Sequence, residues 1–297
     1  MVAEGGKGSK LPPAWPGGNA SFRLCDLLDA DAAEEAVADF EPDAVFHLAA
    51  QSSAARSYED PAGTLRINLI GTVNLFEAAR RTGTRARFLV TGSCDEYGAR
   101  LSEEMPLGED APIDPVSPYA ASKAAQNLLA LQYHRAHGLD VVLTRSFNHT
   151  GPGQTPLFAL PSFASQCAKA AAGKGPPVVR TGNLAVTRDF LDVRDVVSAY
   201  RALIERGRSG GVYNVCSGSG LELARALDTM IEMVGGGIEV EPDPALVRPV
   251  DMPVLIGDNG ALRRDCSWEM SIGSREMISD LVSWWVEAES GREGLTE

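Results

Sequence analysis

RFLVT at Arg87–Thr91, then YAASKAAQNLLALQYHRAH at Tyr119–His137, then VVLTR at Val141–Arg145: this succession decides the fold. The two short runs are continuously apolar and β-branched, as strands covered on both faces must be. The stretch between them places its apolar residues at helical spacing. Outward from this core, AVFHLA (Ala44–Ala49) reads as an earlier strand and VYNVC (Val212–Cys216) as a later one. Helical patterns fill Ala32–Phe40 and Gly71–Arg81. Strands that alternate with helices predict an α/β protein with a parallel sheet, and right-handed crossovers make it doubly wound.

After His149 the pattern changes. GPGQTP (Gly151–Pro156) reads as a loop, and helical spacing returns around Phe163–Ala172. Gly173–Pro177 then leads into the strand-like run Val178–Arg188. Asp192–Glu205, Leu221–Val234 and Met277–Glu289 read as helices. A smaller α/β domain is therefore expected beside the first.

Composition removes several function classes. The 297 residues carry a net charge of -13, with a pI near 4.8, which opposes general affinity for nucleic acid. No apolar run approaches the roughly 20 residues that span a bilayer. Met1–Pro16 lacks the apolar stretch of a signal peptide, so a cytoplasmic protein without membrane contact is expected. Cys25, Cys94, Cys167, Cys216 and Cys266 are scattered without a CxxC pair or a Cys/His cluster. That distribution predicts free thiols and no metal site.

The start of the chain departs from the usual nucleotide-binding pattern. Such folds open with a strand, a glycine-rich turn and a helix that receives the pyrophosphate. Here Gly5, Gly6 and Gly8 follow only four residues, no third glycine completes GxGxxG, and Pro12 and Pro13 stand where a helix should begin. The first placeable segment is FRLCDL, Phe22–Leu27. The expectation is an N-terminally incomplete fold that lacks its first strand and phosphate loop.

The chemical signal is YxxxK at Tyr119–Lys123. A spacing of four puts phenol and ammonium on one helix face. A nearby cation is expected to lower the tyrosine pKa toward that of a working general acid. Ser93 ends the preceding strand, where open α/β sheets bind their ligands. It could hydrogen-bond the same substrate oxygen that Tyr119 protonates.

VTGSCDEYG (Val90–Gly98) followed by PVSPYAASK (Pro115–Lys123) resembles the extended short-chain dehydrogenase/reductase superfamily. HLAAQSS (His47–Ser53) and INLIGT (Ile67–Thr72) fall where that family has its fourth strand and following helix. RSFNHTGPGQ, VRTGNLAVTRDFLDVRDVV, VYNVCSG and RPVDMPVLIGD (from Arg145, Val179, Val212 and Arg248) are most similar to the GDP-4-dehydro-6-deoxy-D-mannose reductases. The resemblance implies a Rossmann-like domain over residues 1–150 plus about 185–218. A substrate domain would take residues 151–184 plus 219–297.

It implies catalytic roles for Ser93, Tyr119 and Lys123. Cofactor contacts would come from Asp26 and Leu27 at the adenine, and from Ala49, Ala50, Gln51, Tyr119 and Lys123 along the groove. Asn148, Asn183, Arg188 and Arg248 would hold the diphosphate of a GDP-sugar, a task suited to the planar arginine fork. Asn68 reads as a structural hydrogen-bonding residue. The cofactor would be NADP or NAD, with NADPH favoured, and the assembly a homodimer.

The expected reaction is reduction of a sugar 4-ketone. One rival is GDP-mannose 4,6-dehydration, which needs a further acid/base two residues after the catalytic hydroxyl. Asp95 stands there, with Glu96 next to it. A second rival is a nucleotide-sugar-binding remnant without a working dinucleotide site.

Overall fold

The computed structural model describes Ser21, residues 23–247 and residues 252–291. Its helices, in chain order, are α1 (Ala30–Phe40), α2 (Ala54–Glu59), α3 (Pro61–Leu65), α4 (Gly71–Thr82), α5 (Pro118–His137), α6 (Ala159–Ala171), α7 (Val193–Arg206), α8 (Leu223–Met233), α9 (Gly260–Cys266) and α10 (Ser274–Gly291). The strands are β1 (Ala44–His47), β2 (Arg87–Ser93), β3 (Asp140–Ser146), β4 (Asn148–Thr150), β5 (Val178–Thr181), β6 (Thr187–Asp192), β7 (Val212–Val215), β8 (Gly220–Glu222), β9 (Glu239–Pro242) and β10 (Val254–Leu255). Between α3 and α4 the helix widens into a π turn, Arg66–Ile70.

The described residues form two compact units. One holds the chain up to Gly98 with Pro112–Arg145 and Leu203–Tyr213. The other holds Ala99–Ala111, Ser146–Ala202 and the chain from Asn214 onward. Packing thus divides the chain at other points than the functional division expected from sequence.

The first unit is built on a sheet in the order β1-β2-β3-β7, with β1 and β2 parallel. Phe76, Phe88, Val90, Val141 and Leu143 are essentially inaccessible to solvent and form its core with Ala33, Val37 and Leu75. Each large apolar side chain buried there contributes roughly 1.5–3 kcal/mol. Helix α1 starts where Asp29 accepts the Asp31 and Ala32 amides, the usual oxygen cap of an N-terminus. Strand β1 stops at His47, two residues before the expected end. There the Leu48 amide turns back to the Phe46 carbonyl, and the His47 side chain is claimed by Thr72. Among the described residues no strand precedes α1, and the glycines at 5, 6 and 8 lie outside them.

In the second unit β6 lies between β10 and β4, parallel to both, and β8 pairs antiparallel with β6. Strands β5 and β9 form a separate parallel pair. The expected run Val178–Arg188 is two strands. Gly182 breaks it at a tight approach, because a Cβ there would lie 2.5 Å from the Leu246 carbonyl oxygen. Leu160, Phe163, Leu227, Met230, Ile278 and Leu281 fill this unit's core from α6, α8 and α10. No helix among the described residues is long and apolar enough to cross a membrane.

Candidate active site

Ser117 starts α5: its hydroxyl accepts the Ala120 amide at 3.1 Å, and Pro118 takes the first helical position, where no amide is needed. This cap fixes the phase of the helix, so Tyr119, Lys123 and Gln126 follow one another along a single face. Strand β2 delivers Ser93 at its C-terminal end. Ser93 also caps the short helical turn Cys94–Tyr97: its Oγ accepts the Asp95 amide at 3.2 Å, while its own amide donates to Glu96 Oε1 at 2.9 Å.

That turn is anchored from below. Glu96, fully buried, accepts from Asn127 Nδ2 at 2.8 and 3.0 Å and from Arg145 Nε at 3.2 Å. Arg145 also donates to the Tyr97 hydroxyl at 3.1 Å and stacks 4.8 Å from the centre of its ring. Gly92 is required by the same packing. A Cβ on it would come within 2.3 Å of Glu96 Oε1 and of the Thr144 carbonyl oxygen, and within 2.4 Å of Asn127 Nδ2.

Ser93, Tyr119 and Lys123 are brought together. The half-buried Tyr119 phenol is within hydrogen-bonding reach of Ser93. Lys123 is buried, and its Nζ donates to the Thr91 carbonyl at 2.7 Å and to Gln126 Oε1 at 2.9 Å. Burial pulls its pKa down to about 8, against the attraction of Glu96.

The expected lowering of the Tyr119 pKa is corrected. Burial pushes it above the ordinary phenol value, and the charge of Asp95 adds to the rise, while the hydrogen bond with Ser93 opposes it. The Lys123 ammonium is engaged by Thr91 and Gln126, and desolvation of the phenolate outweighs the help a cation gives.

The cofactor candidates lie in the same unit. Asp26 Oδ1 accepts the Leu28 amide at 2.9 Å, and the Leu27 carbonyl accepts Asn74 Nδ2 at 2.8 Å, so the turn before α1 is pinned to α4. Ala49 and Ala50 follow β1, each half-buried. Gln51 is buried, and its side chain is spent within the protein: Nε2 donates to Thr64 Oγ1 and the Ser53 carbonyl, and Oε1 accepts the Ser53 amide. Asn68, from the π turn, accepts the Gln51 amide at 2.8 Å and donates to Ser122 Oγ at 2.8 Å, the structural part read for it in the sequence.

Of the substrate candidates, Asn148 lies on β4 opposite Phe190, and Arg188 lies two residues before Phe190 on β6. Residues two apart share a strand face, so Asn148 and Arg188 present to the same side of that sheet. Asn183 is exposed in the turn before β6, its Oδ1 accepting the Ala185 amide at 3.0 Å. Arg248 lies outside the described residues.

Sequence reasoning assigned no part to His47, Thr72 or Gln126, nor to the buried pairing of Glu96 with Arg145. His47 and Thr72 stand inside HLAAQSS and INLIGT, and Gln126 stands one turn beyond the lysine. Spacing on α5 was the available signal. All five cysteines are free, Cys25 half-buried and the others buried, and no metal-binding cluster occurs among the described residues.

A nicotinamide nucleotide fits these residues. Lys123 carries three donors, and only two find acceptors among the described residues, so one buried N–H remains for a ligand oxygen such as a ribose hydroxyl.

Known nucleotide-sugar enzymes resemble this chain over most of its length. The GDP-6-deoxy-D-mannose reductase of Pseudomonas aeruginosa is 36% identical over 260 residues, covering 88% of this chain and 85% of that protein. A dTDP-glucose 4,6-dehydratase of Streptomyces niveus is 36% identical over 270 residues, covering 90% of this chain and 76% of its own. The solved structure of RMD from Pseudomonas aeruginosa, complexed with NADPH, superposes with a TM-score of 0.85 at 35% identity, covering 89% of this chain and 88% of that one. The family model of GDP-mannose 4,6 dehydratase matches residues 11–281, and the chain belongs to that family, among the extended short-chain dehydrogenase/reductases.

Proposed function

We propose that this protein is an NAD(P)H-dependent oxidoreductase that reduces the 4-keto group of a GDP-4-dehydro-6-deoxy-mannose-like sugar. The carrying observation is the phenol of Tyr119 within hydrogen-bonding reach of the Ser93 hydroxyl, one helical turn from a buried lysine. A reduction needs a proton donor at the carbonyl oxygen, and a phenol held beside a second hydroxyl can give one.

When bound, a reduced nicotinamide supplies the hydride that converts the C4 carbonyl to an alcohol. In this reading Tyr119 donates its proton to the forming alkoxide, and Ser93 orients the carbonyl by donating to the same oxygen. Lys123 holds the ribose and, by its charge, eases loss of the phenolic proton. Asp26, Leu27, Ala49, Ala50 and Gln51 line the remainder of the cofactor groove, Gln51 through its backbone position and packing. Asn148, Asn183, Arg188 and Arg248 take the diphosphate of the substrate. NADPH is the preferred coenzyme, in keeping with the ligand of the superposed reductase structure. The resemblance further supports a cytoplasmic homodimer, with residues 1–150 plus about 185–218 serving the cofactor and the remainder the sugar nucleotide.

Dehydration of GDP-mannose is the second reading. Glu96 is spent on Arg145, Asn127 and the Ser93 amide, which leaves Asp95, whose charge acts on Tyr119, as the candidate acid/base. Purified protein is given GDP-mannose with NADP in one assay, and the 4-keto sugar with NADPH in another. Loss of NADPH absorbance with formation of a 6-deoxy sugar alcohol is expected only in the second. Water loss from GDP-mannose without NADPH oxidation would replace the reductase reading. Calorimetric binding of GDP without NADPH would replace both with the remnant.

A further inference from the structure

We propose that Gln126 is a positioning residue for Lys123, locked in its orientation by a buried cluster that runs through Thr72 to His47. The catalytic consequence rests on the reductase reading above; the cluster itself rests on a count of protons. Thr72 Oγ1 donates its single proton to the Asn68 carbonyl at 2.7 Å. Its two other neighbours must therefore donate to it. They are Gln126 Nε2 and His47 Nε2, each at 2.8 Å.

The consequence for Gln126 is that the amide has one allowed orientation. With Nε2 committed to Thr72, Oε1 faces the Lys123 ammonium at 2.9 Å. The flipped amide would set an N–H against the Lys123 ammonium at one end and an oxygen against the Thr72 oxygen lone pair at the other, and both ends are buried. For His47 the consequence is the neutral ring with its proton on Nε2. Burial and the Lys123 charge support this by holding its pKa down to about 3. The cluster cannot slide, because Asn68 is itself tied by its side chain to Gln51 and Ser122.

Two directions around the Lys123 nitrogen are thus fixed, one by the Thr91 carbonyl at the end of β2 and one by Gln126. Tetrahedral geometry then sets the third N–H. Gln126 decides where that donor points. The ionisable groups around Lys123 are Glu96 from the turn after β2, His47 from β1 and Tyr119 from its own helix. Gln126 presents an uncharged acceptor among them.

The chain has only five lysines: Lys7, Lys10, Lys123, Lys169 and Lys174. With [ε-13C]lysine incorporated into the full chain, each can be titrated by NMR without any ligand, and Lys123→Arg assigns the signal. Gln126→Glu, nearly isosteric, puts a carboxylate against the ammonium and should raise the Lys123 midpoint by about 1–3 pH units. Gln126→Met removes the acceptor and should lower it. Thr72→Val, which touches Lys123 only through Gln126, should also lower it, by less.

In the reductase assay Gln126→Met should cost about tenfold or more in kcat with KM for the sugar nearly unchanged. Gln126→Glu should move the alkaline limb of the pH profile upward. An unchanged Lys123 midpoint in folded Gln126→Glu overturns the proposal. If neither Gln126 variant folds, an unchanged midpoint in Thr72→Val does the same. Shifted midpoints in a protein that reduces no 4-keto sugar would leave the cluster standing and remove the reductase reading; wild-type turnover with unshifted midpoints would do the reverse.

Discussion

Each unit buries a charge, and the two are treated differently. Asp189, in the second unit, accepts the amides of Ser217, Gly218 and Gly257 at 2.7, 3.0 and 3.3 Å, and the Ser217 hydroxyl at 2.7 Å. Asp195 is bound in the same way by Ser271 and Ile272. These carboxylates are wrapped by donors from their own scaffold. Lys123, in the first unit, is as deeply buried and keeps a donor in reserve. A buried charge whose hydrogen bonds are complete holds a loop in place, whereas one left incomplete stores binding capacity.

The comparison breaks first at Tyr119. Tyr119→Phe should lower kcat by about 10²–10⁴ while leaving the melting temperature within a few degrees, because the phenol supplies a proton and little packing. Asp189→Ala should do the opposite. It removes the shared acceptor of three backbone amides and a hydroxyl, so urea melts should show a loss on the order of 3 kcal/mol, while the NMR midpoint of Lys123 stays in place. Gly92→Ala tests both properties together. The added methyl meets Glu96, Thr144 and Asn127, and roughly 1–3 kcal/mol of stability should be lost along with turnover, since Ser93 is the next residue.

The smallest effect concerns pH. His47 stays neutral in the folded chain to about pH 3 but takes a proton near 6.5 when unfolded. Its folded pKa is the lower of the two, so the unfolded state gains protons first and stability falls as the pH drops from about 6.5 toward 3. Between pH 6.5 and 5.5 the loss from this group is about 1 kcal/mol. His47→Gln keeps a donor for Thr72 and removes the titration, so urea melts of that variant should lose less over the same interval.

Legibility in the sequence followed the same division. β2 and β3 were visible because each is a long, continuously apolar run, and α5 because its buried positions recur at helical spacing from Ala120 to Tyr133. Strands of two or three residues such as β4, β8 and β10 were not, since periodicity needs more residues than they have. Ser93, Tyr119 and Lys123 were legible because each is a reactive type in a recurring local frame. Gln126, Thr72 and His47 were opaque for the converse reason. Their meaning is a three-dimensional hydrogen-bond closure among segments dozens of residues apart, and no local pattern records which polar atoms face one another.

The π turn at Arg66–Ile70 carries a consequence for insertions and deletions. It packs one surplus residue into the helical path between α3 and α4, and Asn68 sits in the bulge. Removing any one of these five residues would let the helix relax to ordinary pitch with its own ladder intact. The segment on one side would then rotate by about 100° relative to the other. Asn68 or Thr72 would swing away from its partners, so this stretch should tolerate substitution on its outward side far better than a change in its length.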